Sequence, residues 1–160
     1  MQSVKRGALP GCVGRTKGGI NTKLHAVVDG KGRPIILTLT GGQVSDHTGA
    51  KLLYSSLPDF RDRKTTKRHK AVLLGDKGYD SDEFRDALKA KKIRACIPGR
   101  INRKKQIEYD KSLYKQRNLV ERMFGRLKDW RRIATRYDRN AEIFLSAITI
   151  AAVVIFYLNQ

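Results

Sequence analysis

Acidic residues are scarce in this sequence, and the imbalance of charge narrows the choice of partner. Lys and Arg number 34 against 15 Asp and Glu, which gives a net charge of +19 and a pI near 10.3 in a chain of 160 residues. A field of that sign and size favours a polyanion, either nucleic acid or anionic lipid. A basic protein with no role in nucleic-acid binding is the alternative. The length predicts one domain with a real core.

Cysteine is nearly absent as well. Cys12 and Cys96 have no CxxC spacing and no nearby histidine pair, which argues against a structural zinc site and favours a reducing compartment. The three histidines are scattered, and His25 alternates with apolar residues as a packed strand residue does. No nucleophile triad is visible, and no pair of glycines has the spacing of a phosphate-binding loop.

Long apolar segments are few. The N-terminus lacks the apolar core of a secretory signal. The one extended apolar run, 143–158, has 16 residues, fewer than the roughly 20 that span a bilayer. We predict a buried helix that packs on a sheet. A membrane tail anchor behind a basic domain is the alternative, and it would also explain the positive charge.

The remaining pattern predicts an α/β domain with the order β-β-α-β-α-β-α. Residues 1–20 read as a loop. Strands at 22–29 and 34–40 flank an Asp-Gly hairpin turn, and Ser45 or Asp46 caps the helix that follows. The apolar run 71–75 predicts a strand buried on both faces. Asp80 and Glu83 fit a capping box for the next helix, and a short strand at 93–97 follows.

Asp76 stands at the end of the apolar strand 71–75. In α/β sheets, functional side chains gather at strand ends, where they leave the core but stay rigidly held. The residues after it are rich in turn formers, so a helix cap or a turn aspartate is an equally good interpretation.

The segment 114–128 is predicted to form a helix, because it contains good helix formers and no proline, and Asp110 is predicted to cap it. At about 100° per residue, polar side chains share an arc of roughly 60°: Tyr114, Arg117, Glu121, Lys128 and, if the helix continues, Arg132. Apolar side chains form a neighbouring arc: Leu113, Val120, Met123, Phe124, Leu127 and Trp130. Gly125 removes side-chain bulk one turn after Glu121. A surface helix with salt bridges is the alternative interpretation.

Asp76 and Glu121 together suit divalent-metal chemistry on phosphodiesters. Carboxylate oxygens are the hard ligands that Mg²⁺ or Mn²⁺ takes, and such metals activate the attacking oxygen and stabilise the leaving one. The cations around Glu121 would hold the DNA phosphates that a bare carboxylate repels.

Tyr114, Arg117, Glu121 and Lys128 match the spacing Y-(2)-R-(3)-E-(6)-K. With this signature the chain resembles bacterial insertion-sequence transposases of the DDE class. The segment 74–80 resembles the part of those enzymes that carries the second catalytic aspartate, and the segments 14–19, 22–25 and 131–137 are similar to them too.

The resemblance implies a ribonuclease H-like mixed sheet with flanking helices, two Mg²⁺ (or Mn²⁺) ions, and cleavage and joining of DNA strands at insertion-sequence ends. Asp76 would be the second acidic catalytic and metal-binding residue, and Glu121 the third. Arg117 and Lys128 would contact DNA, with Tyr114 supporting them and Arg132 beside them.

The chain departs from this family at its N-terminal end. The family's first catalytic aspartate belongs to a central strand that precedes the hairpin, and residues 1–20 lack the apolar, β-branched run that such a strand needs. We therefore predict a flexible segment 1–21 and a partial catalytic domain 22–160 without its first strand. The chain would be the C-terminal part of a transposase, either truncated or one of two overlapping reading frames joined by frameshifting. Asp29 and Asp46 are better explained by a turn and a cap than as substitutes.

The expected partners are DNA (transposon ends and target), the polypeptide of an upstream frame that supplies the first strand and its aspartate, and further copies of the chain when it is complete. We expect a cytoplasmic, nucleoid-associated bacterial protein with no membrane partner. Alone, it should bind DNA weakly and be catalytically silent. The alternatives are a non-catalytic DNA-binding remnant or regulator, and a membrane-anchored basic protein.

Overall fold

The computed structural model describes residues 12–17, 19–57, 71–138 and 140–158. These residues form two compact units. Unit 1 takes the residues up to Val44 together with those from Leu119 onward, and unit 2 is Ser45–Asn118. In chain order the elements are β1 (Gly14–Thr16), β2 (Gly19–Val28), β3 (Pro34–Gly41), α1 (Asp46–Ser56), β4 (Val72–Leu74), a 3₁₀ turn (Lys77–Tyr79), α2 (Asp82–Ala90), β5 (Arg94–Cys96), α3 (Lys111–Tyr114), a second 3₁₀ turn (Lys115–Arg117), α4 (Asn118–Lys128), α5 (Arg131–Thr135), α6 (Ala141–Val153) and a π-helical turn (Val154–Leu158).

Unit 1 contains an antiparallel sheet with the strand order β1-β2-β3. Between β2 and β3 the predicted Asp-Gly turn is present. The Asp29 N–H donates to the Arg33 carbonyl at 2.9 Å, and the Asp29 carboxylate accepts from the backbone N–H groups of Lys31 and Arg33 at 2.9 and 3.0 Å. His25 on β2 is buried and lies 2.8 Å from the Thr40 hydroxyl, as expected of a packed residue.

The start of unit 1 corrects the predicted loop over residues 1–20. Residues 14–16 form β1, paired antiparallel with the beginning of β2, and β2 begins at Gly19 instead of residue 22. Glycine-rich composition indicated a loop, but the pairing across the turn between the two strands overrides that local preference. Residues 1–11 lie outside the described part of the chain.

The core of unit 1 joins α4 and α6 to the sheet. Its buried side chains are Leu39, Met123, Leu127, Ala141, Phe144, Ile148, Ala151, Ala152 and Phe156. Met123 and Leu127 are the inward positions of α4, one turn apart, as the apolar arc predicts. The predicted helix over 143–158 is α6 with its π-helical turn, and α6 packs on β3.

α6 and the π-helical turn also have an apolar exposed side. Ala141–Leu158 is long and apolar enough to cross a membrane by length and composition, and 39 % of it is buried inside the protein. Ile143 and Ile150 are more than half exposed. The buried side packs as a core helix does, and the absence of a membrane partner stays a prediction.

Unit 2 contains β4 and β5 as a two-stranded parallel sheet, with Val72 opposite Arg94 and Leu74 opposite Cys96. Ser45 caps α1 by accepting from the Thr48 N–H, one of the two predicted alternatives. The buried apolar side chains of this unit come from α1, α2, β5 and the residues that flank them: Ala50, Leu53, Leu57, Phe84, Leu88, Ile93, Cys96 and Ile97.

Three details of unit 2 differ from the sequence predictions. β4 is half-buried, not buried on both faces. The cap of α2 is Ser81, whose hydroxyl accepts from the Phe84 N–H at 3.1 Å, because Asp80 turns inward to three arginines. The segment 114–128 is not one continuous helix: Asp110 does cap it, but the 3₁₀ turn 115–117 separates α3 from α4.

The described residues therefore form an α/β fold with one antiparallel and one parallel sheet. This agrees with the predicted class of mixed strands and helices. The ribonuclease H-like arrangement and the lack of a central strand stay predictions.

Candidate functional site

A cleft of about 1180 Å³ in unit 1 runs along the polar face of α4. Glu121, Gly125 and Lys128 line it together. These positions are four and three residues apart, so they stack on one side of the helix over about 10 Å of its length. The predicted polar arc is therefore correct for this part of the segment. Glu121 and Lys128 are both solvent-exposed, so a carboxylate and an ammonium face the same open space.

Gly125 leaves the middle of this face flat. A Cβ built there would meet no atom within 4 Å, and the residue is exposed. Packing within the described chain therefore does not require a glycine at this helical position, where alanine would be more stable. The absence of a side chain instead keeps the cleft open between Glu121 and Lys128.

The cleft is also lined by a cation that the sequence pattern did not indicate. Arg136 lines the cleft, as does Asp138. Arg136 ends α5 in a left-handed conformation with φ of 49°, which is uncommon for a residue with a Cβ. Its guanidinium carbon lies 5.0 Å from the centre of the Phe144 ring. The segment 131–137 resembles the family, but nothing in the sequence distinguished Arg136 from its neighbours.

Arg132 does not continue the face of α4, because α4 ends at Lys128 and Arg132 belongs to α5. Its guanidinium donates to both carboxylate oxygens of Asp138 at 2.8 and 2.9 Å. The hydrogen bond and the charge of Arg132 lower the pKa of Asp138, and those of Asp138 raise the pKa of Arg132. Arg132 is thus held by a carboxylate beside the cleft.

Asp76 lies in unit 2, two residues after the end of β4, so it stands close to a strand end as predicted. Its carboxylate caps the first 3₁₀ turn by accepting from the Lys77 N–H at 2.6 Å, and the side chain is exposed. Both interpretations of this residue thus describe part of what is seen: it is a cap, and it is an exposed carboxylate at a strand end.

Tyr114 and Arg117 lie in the same unit as Asp76, and Tyr114 is close enough to Asp76 for their charges to interact. Burial raises the pKa of Tyr114, Arg117 lowers it, and the charge of Asp76 raises it again. The Arg117 guanidinium carbon lies 5.8 Å from the centre of the Tyr114 ring. Tyr109 packs edge-on against Tyr114, with ring centres 5.3 Å apart. Unit 2 therefore contains both the Asp76 carboxylate and a cation held over the ring of Tyr114.

The predicted residues thus form two groups. Asp76, Tyr114 and Arg117 belong to unit 2, and Glu121, Lys128 and Arg132 belong to unit 1. Exposed carboxylates fit the hard-ligand preference of Mg²⁺. The described residues of neither unit bring together three His, Cys, Asp or Glu side chains that could hold a metal ion. The donor chemistry fits a divalent metal, and the number of donors falls short of a complete site.

The two aspartates that could substitute for a missing one differ in how well they match their predicted explanations. The Asp29 carboxylate accepts from two backbone N–H groups and from the Arg33 side chain at 2.8 Å. Burial raises the pKa of Asp29, and these hydrogen bonds outweigh that effect and hold it below its usual value. The cap interpretation of Asp46 is wrong, because Ser45 caps α1 and Asp46 lies in its first turn. The turn interpretation of Asp29 is confirmed.

Comparison with known proteins identifies the family. The family model described as "Transposase DDE domain" matches residues 10–156. A Burkholderia cepacia protein is 34 % identical over 123 residues, which cover 76 % of this chain and 56 % of that protein. A Brucella ovis protein is 32 % identical over 139 residues, which cover 86 % of this chain and 98 % of that protein. Both bear the description "Putative transposase for insertion sequence element", IS402 and IS6501 respectively. No solved structure matches the chain significantly.

The chain spans about half the length of the first relative and nearly the whole of the second. The predicted resemblance to insertion-sequence transposases is confirmed, while the roles of the individual signature residues stay predictions. With a family match over most of its length and two relatives above 30 % identity, the chain belongs to the transposase DDE domain family.

Proposed function

We propose that this chain supplies the second and third acidic residues of a DDE transposase, Asp76 and Glu121, and depends on another polypeptide for the first. The observation that carries the proposal is the family match over residues 10–156, which includes both Asp76 and Glu121. The proposed function is cleavage and joining of DNA strands at insertion-sequence ends, with DNA as the substrate.

The edge of β4 supports the idea of a missing strand. β4 bonds to β5 through its flanking residues, with the Arg94 N–H donating to the Ala71 carbonyl at 2.8 Å and the Gly75 N–H to the Cys96 carbonyl at 3.4 Å. In a parallel pair, alternate residues face the partner, so Val72 and Leu74 direct their backbone groups to the other edge. Among the described strands, β5 alone pairs with β4. An apolar strand with an open edge is suited to accept another strand.

Two cations of the signature, Arg117 and Lys128, would then hold the DNA together with Arg136. Lys128 and Arg136 line the cleft with Glu121, and Arg117 lies over the Tyr114 ring in the unit that contains Asp76. Lys and Arg contacts to phosphates fix the position of a DNA strand without reading its sequence. The proposed role of these three side chains is to keep a phosphodiester against two carboxylates that would otherwise repel it. Arg132 would contribute to DNA binding through its ion pair with Asp138, which lines the cleft.

A divalent metal, Mg²⁺ or Mn²⁺, would supply activation of the attacking oxygen and stabilisation of the leaving oxygen. Asp76 and Glu121 are the residues of this chain that would hold it. The Lys77 N–H keeps the Asp76 carboxylate oriented at the strand end. We further propose that the complete protein is cytoplasmic and nucleoid-associated, and that it assembles as a homo-oligomer.

Complementation tests the proposal. The purified chain is mixed with a polypeptide translated from the DNA immediately upstream that contains an apolar strand with an aspartate. Nicking of DNA that carries the element's ends is measured with Mg²⁺. We expect activity only in the mixture, and its loss with Asp76→Asn, with Glu121→Gln, or when the upstream aspartate is replaced by asparagine. A mixture that stays inactive at saturating DNA would contradict the proposal.

A non-catalytic DNA-binding remnant or regulator is the second candidate, favoured by the net charge of +19. In that case Glu121→Gln would leave every activity of the chain unchanged. DNA affinity would still fall steeply with salt, because neutralised phosphates release counterions.

A further inference from the structure

A four-residue turn in unit 2 exposes an isoleucine at its tip. The Arg103 N–H donates to the Arg100 carbonyl at 3.0 Å, which closes the turn and puts Ile101 and Asn102 at its two central positions. Ile101 is 89 % exposed, more than any other large apolar residue in the described part of the chain. An isolated exposed apolar residue is ordinary on a protein surface. The hydrogen bonds that hold this turn, however, are unusual for a surface loop.

Both ends of the turn are bound to one buried carboxylate oxygen. Oδ2 of Asp80 accepts from the Arg100 N–H at 2.8 Å and from Nε of Arg103 at 2.9 Å. The other oxygen accepts from Nε of Arg85 at 2.9 Å. Asp80 is 4 % exposed, and the Arg103 guanidinium also bonds to Asp82. Charge-assisted bonds of this kind are stronger than neutral ones, so the tip is fixed in position.

The turn is also tied to the segment that follows Asp76. The Arg100 guanidinium donates to the Gly78 carbonyl at 2.8 Å and to the Lys77 carbonyl at 3.4 Å. The Lys77 N–H in turn binds the Asp76 carboxylate. A short chain of hydrogen bonds therefore connects the exposed tip to the candidate catalytic carboxylate within one unit.

Positive charge follows the tip directly. Lys104 and Lys105 are exposed, and no ion pair to either is present among the described residues. Arg85, Arg100 and Arg103 are engaged in holding the turn, whereas Lys104 and Lys105 can meet a partner. An apolar tip flanked by these cations fits a DNA strand, because phosphates meet the cations and base faces meet the apolar side chain.

We propose that the Arg100–Arg103 turn is a DNA wedge: Ile101 inserts between bases of the strand bound near Asp76, and Lys104 and Lys105 contact the adjacent phosphates. Apolar side chains that insert in this way unstack a base step and distort the duplex. Asp80 is the positioning residue, because its carboxylate holds both ends of the turn. The inference rests on the proposed function, since it takes DNA as the partner of unit 2.

Fluorescence of 2-aminopurine, which rises when the base is unstacked, tests the wedge. The full chain at low salt and saturating concentration is added to a duplex with 2-aminopurine near the element's end. We expect a rise in fluorescence with the wild type and no rise with Ile101→Ala. The affinity of Ile101→Ala should change by less than about threefold, because phosphate contacts dominate binding. Ile101→Leu should restore the rise. Ile35→Ala, a change at an isoleucine of unit 1 that is half exposed, is the matched control and should behave as the wild type does.

Replacement of Lys104 and Lys105 by alanine tests the other half of the proposal. The slope of log affinity against log salt should become shallower by about 2, because each lysine would neutralise one phosphate. The fluorescence rise at saturation should persist. A salt slope equal to that of the wild type would overturn the assignment of the two lysines to phosphates.

The outcomes separate the two proposals. DNA binding with an undiminished fluorescence rise in Ile101→Ala overturns the wedge and leaves the proposed function standing. No binding of DNA by the wild type overturns both. A fluorescence signal unchanged in every variant, combined with loss of self-association or of partner binding in Ile101→Ala, assigns the tip to a protein interface and overturns the wedge.

Discussion

Replacement of Gly125 by alanine should make the protein more stable. Gly125 is exposed in the third turn of α4, and an added Cβ would meet nothing within 4 Å. Glycine in a helix interior costs about 0.5–1 kcal/mol relative to alanine, because its backbone loses more freedom on folding. No steric term opposes that gain here. The expected increase in the free energy of unfolding is therefore about 1 kcal/mol.

Urea denaturation followed by circular dichroism at 222 nm measures the change. With a slope of about 2 kcal/mol per molar urea, the midpoint should rise by about 0.5 M. Gly32→Ala is the matched control, because Gly32 has φ of +80°, where a side chain is strained by about 1–2 kcal/mol. Its midpoint should fall. A lower midpoint for Gly125→Ala would refute the open helical environment described for this residue.

The same variant separates stability from function. If DNA approaches the face of α4 between Glu121 and Lys128, the added methyl group obstructs it. We expect Gly125→Ala to bind DNA more weakly although it is more stable. An affinity equal to that of the wild type would show that this face does not receive DNA.

Two further changes test the packing of unit 2. Burial raises the pKa of Asp80, but the hydrogen bonds from Arg103, Arg100 and Arg85 outweigh it and hold the pKa below its usual value. The stabilisation by this carboxylate is therefore complete above a pH of about 4 and is lost as the pH falls through the lowered pKa. Asp80→Asn should lower the free energy of unfolding at pH 7 by about 3–5 kcal/mol, and its urea midpoint should fall less than that of the wild type between pH 5 and 2. Lys91→Met should cost about 1–3 kcal/mol, since the ammonium donates to the Tyr54 and Leu57 carbonyls at the end of α1 at 2.9 and 2.7 Å. Thermal unfolding checks the latter; an unchanged melting temperature would contradict it.

The face of α4 could be predicted because it depends on local periodicity. Spacings of four and three residues put Glu121, Gly125 and Lys128 on one side of any α-helix, and the structure has them on one cleft. The hairpin turn at Asp29 was predictable for the same reason, since its hydrogen bonds reach at most four residues along the chain.

The roles of Asp80 and Arg136 could not be predicted, because they depend on distant contacts. Asp80 looked like a helix cap from its spacing to Glu83, and only the fold brings Arg103, 23 residues away, to its carboxylate. Arg136 reaches the cleft through a left-handed helix end that the sequence does not indicate. Likewise, the 3₁₀ turn that interrupts the segment 114–128 consists of Lys, Gln and Arg, which have good helix propensity. Local propensity therefore does not predict the interruption.

The central proposal is that this chain supplies Asp76 and Glu121 of the catalytic set and depends on another polypeptide for the first acidic residue. Mg²⁺-dependent nicking of DNA by the purified chain alone, compared with Glu121→Gln, tests it most directly. We predict that the wild type and Glu121→Gln give the same background signal. Robust nicking by the wild type that Glu121→Gln abolishes would contradict the claim, because it would mean that the chain holds a complete catalytic set by itself.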